Sequence, residues 1–256
     1  MRFDLDHSSG EPGVFRREEG RIFIDAESLH YRELNGMVLG ASREEIGEID
    51  IDHVHGHPYI GTGLRKNIKI VVKGDAGDEL GAFMDGPDIE VEGSVGKGLG
   101  NSMSRGRILV RGNAGEGAGM GMKGGCIFVG GNVGPRAAIH MQELWYGKPV
   151  MVVGGTAGDL LGEYMAGGTV VVLGLPRRGA GGGEPEGIGA GMSGGTIYVR
   201  GALRPEQLAR EARMELMEGE ELEEISGWVR EFARLFGEDP AGLLSGVYSR
   251  VTAARA

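Results

Sequence analysis

Gly191-Met192-Ser193-Gly194-Gly195 matches G-x-S-x-G, the sharp turn that presents a serine nucleophile in esterases. That turn leads from a strand into a helix, and an Asp and a His follow it in the chain. Here a strand-type run, TIYVRG, follows, and no histidine occurs after His140. Ser193 therefore lacks the following histidine that this elbow uses to activate its serine. His53, His55 and His57 form H-x-H-x-H beside Asp50 and Asp52. On a regular strand such spacing places three imidazoles on one face, a geometry suited to zinc or another divalent ion. Gly56 and Pro58 interrupt the strand there and would splay His57 away. Gly119–Gly124 and Gly189–Gly194 both read G-x-G-x-x-G, and Gly93–Gly98 resembles a phosphate loop without its Ser or Thr after the Lys. None of the three opens a helix in a βαβ unit, the context in which such glycines bind phosphate.

The elements that would position these residues come from one repeat. Met84, Met103, Met122, Met141, Met165 and Met192 recur at spacings of 19, 19, 19, 24 and 27 residues. Gly74, Gly93, Gly112, Gly131 and Gly155 each lie ten residues before one of the first five. Ser193 occupies the position that Asp85, Ser104, Lys123, Gln142 and Ala166 hold in earlier copies. Between the glycine phrases lie short Val/Ile-rich runs such as IKIVVKG, RILVRG and TVVVLG. Nineteen residues are too few for a strand with a crossover helix, which takes roughly 30. They suffice for one coil of a parallel β-solenoid, so about seven strands stacked at roughly 4.8 Å make a rod of about 35 Å. The glycines fall at corners, where positive φ or close backbone approach excludes a Cβ. The methionines form an inward ladder, with Leu64 in the equivalent place in the first coil. Thioethers also bind copper(I), but a repeated inward apolar residue is ordinary core.

Two coils are lengthened. Gln142–Tyr146 extends the fourth, making Trp145 and Tyr146 either partner anchors or a loop on its own coil, and Leu175–Gly187 reads as a mobile surface loop. The chain thus divides into a lead-in (1–47) with a strand and a short helix, a β-helix (48–203), and a helical cap (204–256). In the cap one helix is expected from Pro205 to Met217, and an amphipathic one from Glu220 to Phe236. Capping is expected because the last coil of a solenoid exposes unpaired strand edges. A net charge of −10 argues against nucleic acid, which needs clustered Lys and Arg. The single cysteine, Cys126, cannot hold an iron–sulfur cluster or a Cys-type zinc site alone. No signal-type or membrane-length apolar run is present, so a cytoplasmic protein is expected.

The phrases GDAGDELGAFMDGP (Gly74–Pro87), GGTAGDLLGEYMAGG (Gly154–Gly168) and GMSGGTIYVRG (Gly191–Gly201) resemble the GXGXG domain. This is domain 3, the carboxy-terminal β-helix of the glutamate synthase large subunit. HYRELN (His30–Asn35) and GHPYIGTGL (Gly56–Leu64) resemble the lead-in of its free-standing archaeal-type version. The coils alone are more loosely similar to the scaffold subunit of formylmethanofuran dehydrogenase. The resemblance implies a right-handed parallel β-helix with a structural role and no catalytic residue or cofactor of its own. It also implies partner chains carrying a glutamine amidotransferase and an FMN and iron–sulfur synthase. His53, His55 and His57, Ala138 and the Leu175–Gly187 insertion depart from the family pattern. Three readings result: an assembly subunit of a split glutamate synthase, with homo-oligomers allowed; the scaffold subunit of a formylmethanofuran dehydrogenase-type complex; and an esterase acting through Ser193.

Overall fold

The computed structural model describes residues 15–145, 147–176 and 184–254. Strands β2 (Arg21–Asp25), β3 (Glu48–His57), β4 (Lys69–Ala76), β5 (Asp85–Val91), β6 (Arg105–Val110), β7 (Cys126–Val129), β8 (Val150–Val153), β9 (Ala166–Val172) and β10 (Gly194–Arg200) pair in parallel, each with the next. This is the expected β-solenoid. A second ladder of parallel bridges, Ala76–Val95–Ala114–Val133–Ala157, runs along another side of the coil. Antiparallel strands close both ends: β1 (Phe15–Glu18) on β2, and β12 (Tyr248–Ala253) on β10 with β11 (Ala212–Met217) outermost.

Strand alternation separates two cores. One column, Ile49, Ile70, Ile89, Ile108, Ile127, Met151, Val170 and Ile197, faces the interior and is fully buried. Met84, Met103, Met122, Met141 and Met165 are all at 0% exposure, and Met192 and Leu64 at 4% and 5%. The backbone keeps them stacked: Asp85 N–H donates to Leu64 O, Ser104 to Met84, Lys123 to Met103, Gln142 to Met122 and Ala166 to Met141, at 2.8–3.0 Å. The outward column changes character along the rod. It reads Asp50, Val71, Glu90, then Leu109, Phe128, Val152, Val171, Tyr198. The switch to apolar residues marks where helix α2 (Glu223–Phe236) lies on the sheet, through Ile225, Val229, Phe232 and Ala233, with Leu222 just before it. Gly237, at φ 73°, ends α2 in the left-handed conformation usual after a helix. The expected lead-in helix is α1 (Tyr31–Ala41), and the Glu33 carboxylate accepts from His30 N–H at 3.0 Å at its start.

The cap differs from expectation in its first half. Pro205–Gln207 is one 3-10 turn, and Ala212–Met217 is a strand rather than helix. Ala212 and Met214 face the interior core while Arg213 and Glu215 face solvent, an alternation that pairing with β12 selects over helical propensity. Strand β12 and the short helix α3 (Pro240–Leu244) complete the cap. Tyr146 and residues 177–183, with the expected mobility of that loop, lie outside the described residues.

Candidate functional site

Each coil turns its glycine phrase through three left-handed residues at i, i+2 and i+4. They run Tyr59-Gly61-Gly63, Glu79-Gly81-Phe83, Gly98-Gly100-Ser102, Gly117-Gly119-Gly121, Arg136-Ala138-His140, Leu160-Gly162-Tyr164 and Gly187-Gly189-Gly191, all with φ between 53° and 74°. The repeated G-x-G-x-G is the trace of this geometry, since glycine adopts positive φ without a Cβ clash. The middle position points inward: a Cβ on Gly81 would stand 2.7 Å from Ile108 Cδ1, and Ala138 is fully buried. The outer two positions carry side chains toward the surface. Non-glycine residues in this conformation cost roughly 1–2 kcal/mol each. Nine of the ten in the described chain sit on this corner, and the tenth is His53.

Large apolar side chains occupy the strained positions and remain in solvent. Tyr59 is 46% exposed, Phe83 61% and Tyr164 53%. His140 and Tyr164 stack along the rod, with ring centroids 5.2 Å apart and planes 10° from parallel. Trp145, 95% exposed, follows in the coil that carries His140. Beside them an ion-pair ladder crosses four coils, Lys97–Glu116–Arg136–Glu163, at 3.5, 3.1 and 3.2 Å. Sequence reasoning found Trp145 but missed Phe83, His140 and Tyr164. The signal was there, because each stands where the phrase has glycine in other coils.

A second ladder explains the glycines ten residues before each Met. The Asp75 carboxylate accepts from Ser94 N–H, Ser94 Oγ from Asn113 N–H, Asn113 Oδ1 from Asn132 N–H, and Asn132 Oδ1 from Thr156 N–H, at 2.7–3.1 Å. A Cβ on Gly93, Gly112, Gly131 or Gly155 would meet one of these side-chain oxygens at 2.1–2.4 Å. Close approach, rather than a left-handed turn, requires those four glycines. Gly74 has both constraints, with φ 121° and Val54 O 2.1 Å from any Cβ.

The three histidines are not assembled on one face. Strand β3 carries an extra residue between Ile51 and Val54, where its register against β4 shifts, and His53 turns left-handed there at φ 54°. His53 Nδ1 lies 2.9 Å from Asp25 Oδ1. His57 Nε2 instead lies 2.9 Å from Leu29 O, while its Nδ1 accepts from His55 N–H. Among the described residues, those whose ligand atoms do converge, all within 4.8 Å, are Asp25, Glu27 and His53. The hydrogen bond and charge of Asp25 raise the His53 pKa above its ordinary value. Asp25 is lowered, first by the Glu27 N–H that it accepts and then by His53. A metal there would have to displace the proton that joins the pair.

The raised histidine contributes stability that is complete below its unfolded pKa and is lost as pH climbs through the folded one. The lowered carboxylate contributes above its unfolded pKa and loses it as pH falls through the folded one. In an NMR pH titration His53 is therefore expected to titrate above an unperturbed imidazole and to fall back in Asp25→Asn. A wild-type midpoint at or below the ordinary value would contradict the ion pair.

The motif strings have their amides occupied. In Gly93–Gly98, Ser94 and Lys97 N–H donate to Asp75 and Asp78 side chains, Val95 N–H to Asn113 O, Gly96 N–H to Ala76 O, and Gly98 N–H to Glu116 O. Gly119, Gly121 and Lys123 N–H donate likewise to Leu99, Ile139 and Met103 carbonyls. A phosphate cradle needs such amides free. Ser193 is exposed, its N–H bonded to Met165 O in the coil below, and a strand rather than a helix follows it. That is not the geometry of a nucleophile elbow. Burial pushes the Cys126 thiol up to about 11, so it stays protonated and unreactive at neutral pH. Among the described residues no helix is long and apolar enough to cross a membrane.

Against known proteins, the model of the GXGXG motif family matches residues 45–251. An uncharacterized protein of Methanocaldococcus jannaschii is 41% identical over 220 residues, covering 84% of each chain. A chain of the formyltransferase/hydrolase complex of Methylorubrum extorquens, solved with methylofuran, superposes with a TM-score of 0.61. That alignment covers 93% of this chain and 92% of the other at 21% identity, a likeness of fold.

Proposed function

The chain belongs to the GXGXG motif family, and from that premise we propose that it is a non-catalytic assembly subunit of a multi-subunit oxidoreductase, the domain-3 subunit of a split glutamate synthase. The observation that carries this reading is the strained corner. Phe83 and Tyr164 hold left-handed backbones while more than half exposed. The isolated chain recovers little of that strain by burial, whereas a partner covering the rings would. The expected partners are cytoplasmic chains bearing a glutamine amidotransferase and an FMN and iron–sulfur synthase, with all cofactors on them. The fold likeness to the formyltransferase/hydrolase chain favours a second reading, the scaffold subunit of a formylmethanofuran dehydrogenase-type complex.

Affinity purification of the tagged chain from its native cell tests both. Co-purifying amidotransferase and flavoprotein chains support the first reading, and a molybdopterin subunit supports the second. A chain recovered alone overturns both. Phe83→Gly tests the corner itself. Relief of the left-handed strain, less the greater unfolded-state freedom of glycine, is expected to raise stability by up to about 1 kcal/mol. Partner recovery should fall about tenfold, as for loss of one aromatic anchor. A variant that is destabilised, or that holds its partners unchanged, removes the corner from the interface.

A further inference from the structure

We propose that the open edge of β11 pairs with the same edge of a second copy of this chain, making a two-fold dimer independent of the assembly reading above. Among the described residues, strand β11 is the last strand of the sheet and is hydrogen-bonded on one side, to β12. The Ala254 N–H donates to Glu211 O at 2.7 Å, which fixes the alternation along the pair. Arg213, Glu215 and Met217 therefore direct their backbone groups to β12, while Met214 and Leu216 direct theirs to the open side. The sheet thus ends in a template for another strand.

What selects a second copy is charge. Arg213 and Glu215 project from the solvent face of β11, one residue to either side of Met214. An antiparallel pairing centred on Met214 sets Met214 against the partner's Met214, with N–H and C=O bonded in both directions. Leu216 N–H then meets the partner's Ala212 C=O. In that register Arg213 stands opposite the partner's Glu215, and Glu215 opposite the partner's Arg213. Both charge pairs fall at non-hydrogen-bonded sites, where side chains approach most closely. A single-sign edge would repel its copy, whereas this one complements it. The apolar face agrees: Leu216 is 55% exposed and would lie beside the partner's Ala212 and Met214. Glu215 already accepts from Arg250 at 2.8 Å and Arg213 Nε bonds Thr252 Oγ1 at 3.2 Å, which holds both side chains on this face.

Sedimentation velocity on the full chain across the micromolar range tests the pairing, with circular dichroism to confirm folding. Wild type is expected to dimerise, and Met214→Pro, which removes the central N–H, to be monomeric. Arg213→Glu alone and Glu215→Arg alone should each weaken the dimer by about tenfold or more. An equimolar mixture of the two should restore it, because each then faces its opposite charge. A wild type monomeric throughout would make these charges a guard against pairing and would overturn the proposal. A dimer that survives both reversals, or a mixture that fails to recover, would place any dimer on another surface.

Discussion

Met122→Ala is expected to lower the unfolding free energy by about 2–5 kcal/mol, the range for deleting a large side chain from a core that cannot collapse around the gap. Met122 is fully buried at the middle of the ladder, and its neighbours in the coils on either side, Met103 and Met141, are equally buried. The backbone bonds Lys123 to Met103 and Gln142 to Met122 hold those coils at a fixed step, so the walls cannot close. Met122→Leu preserves most of the volume and should cost less than about 1.5 kcal/mol. Equilibrium urea unfolding of the two variants decides it. A loss below about 1 kcal/mol in Met122→Ala would mean that the ladder is not the core.

Gly74→Ala is expected to cost more than about 3 kcal/mol or to abolish folding, because it combines a forbidden conformation with a clash that no side chain can relieve. The obstacle is backbone, the Val54 carbonyl oxygen at 2.1 Å from the new Cβ, and φ is 121°. Val54 is held there by the bulge at His53, so neither strand can yield without losing the register of β3 on β4. Gly63→Ala is the matched control: φ is 68° but nothing lies within 4 Å of the added carbon. That variant should lose only about 1–2 kcal/mol. Equal losses in the two would leave left-handed strain as the whole account and remove close approach from it.

These contrasts mark how far the residues could be read in advance. The methionine period and the Val/Ile runs gave the coil, since one inward residue per coil must repeat wherever one core runs the length of the rod. The three-point left-handed corner was directly legible where it is glycine. Phe83, Arg136, His140, Leu160 and Tyr164 share that backbone without sharing side-chain chemistry, and only alignment to the repeat, which sets each against a glycine of another coil, marks them. The same holds for Asp75, Ser94, Asn113 and Asn132, which do one job with three functional groups. Pro205–Met217 misled for a different reason. Its composition favours helix, and only β12, more than 30 residues downstream, makes Ala212–Met217 a strand. The H-x-H-x-H string promised a shared face that a single extra residue in β3 dissolved.

Helix α2 has a consequence for how the molecule comes apart. A stack of coils in which each touches only its neighbours unravels piecemeal from its ends, one rung at a time. Here one helix rests on Leu109, Phe128, Val152, Val171 and Tyr198, which belong to five successive strands. Tyr198 also donates its hydroxyl proton to Glu224 on that helix at 2.8 Å. Loss of any of those rungs strips contacts from the same helix that steadies the other four. The splint therefore turns the carboxy-terminal five rungs into a single cooperative block, and leaves the amino-terminal coils, whose outward residues are Asp50, Val71 and Glu90, as the end where fraying begins.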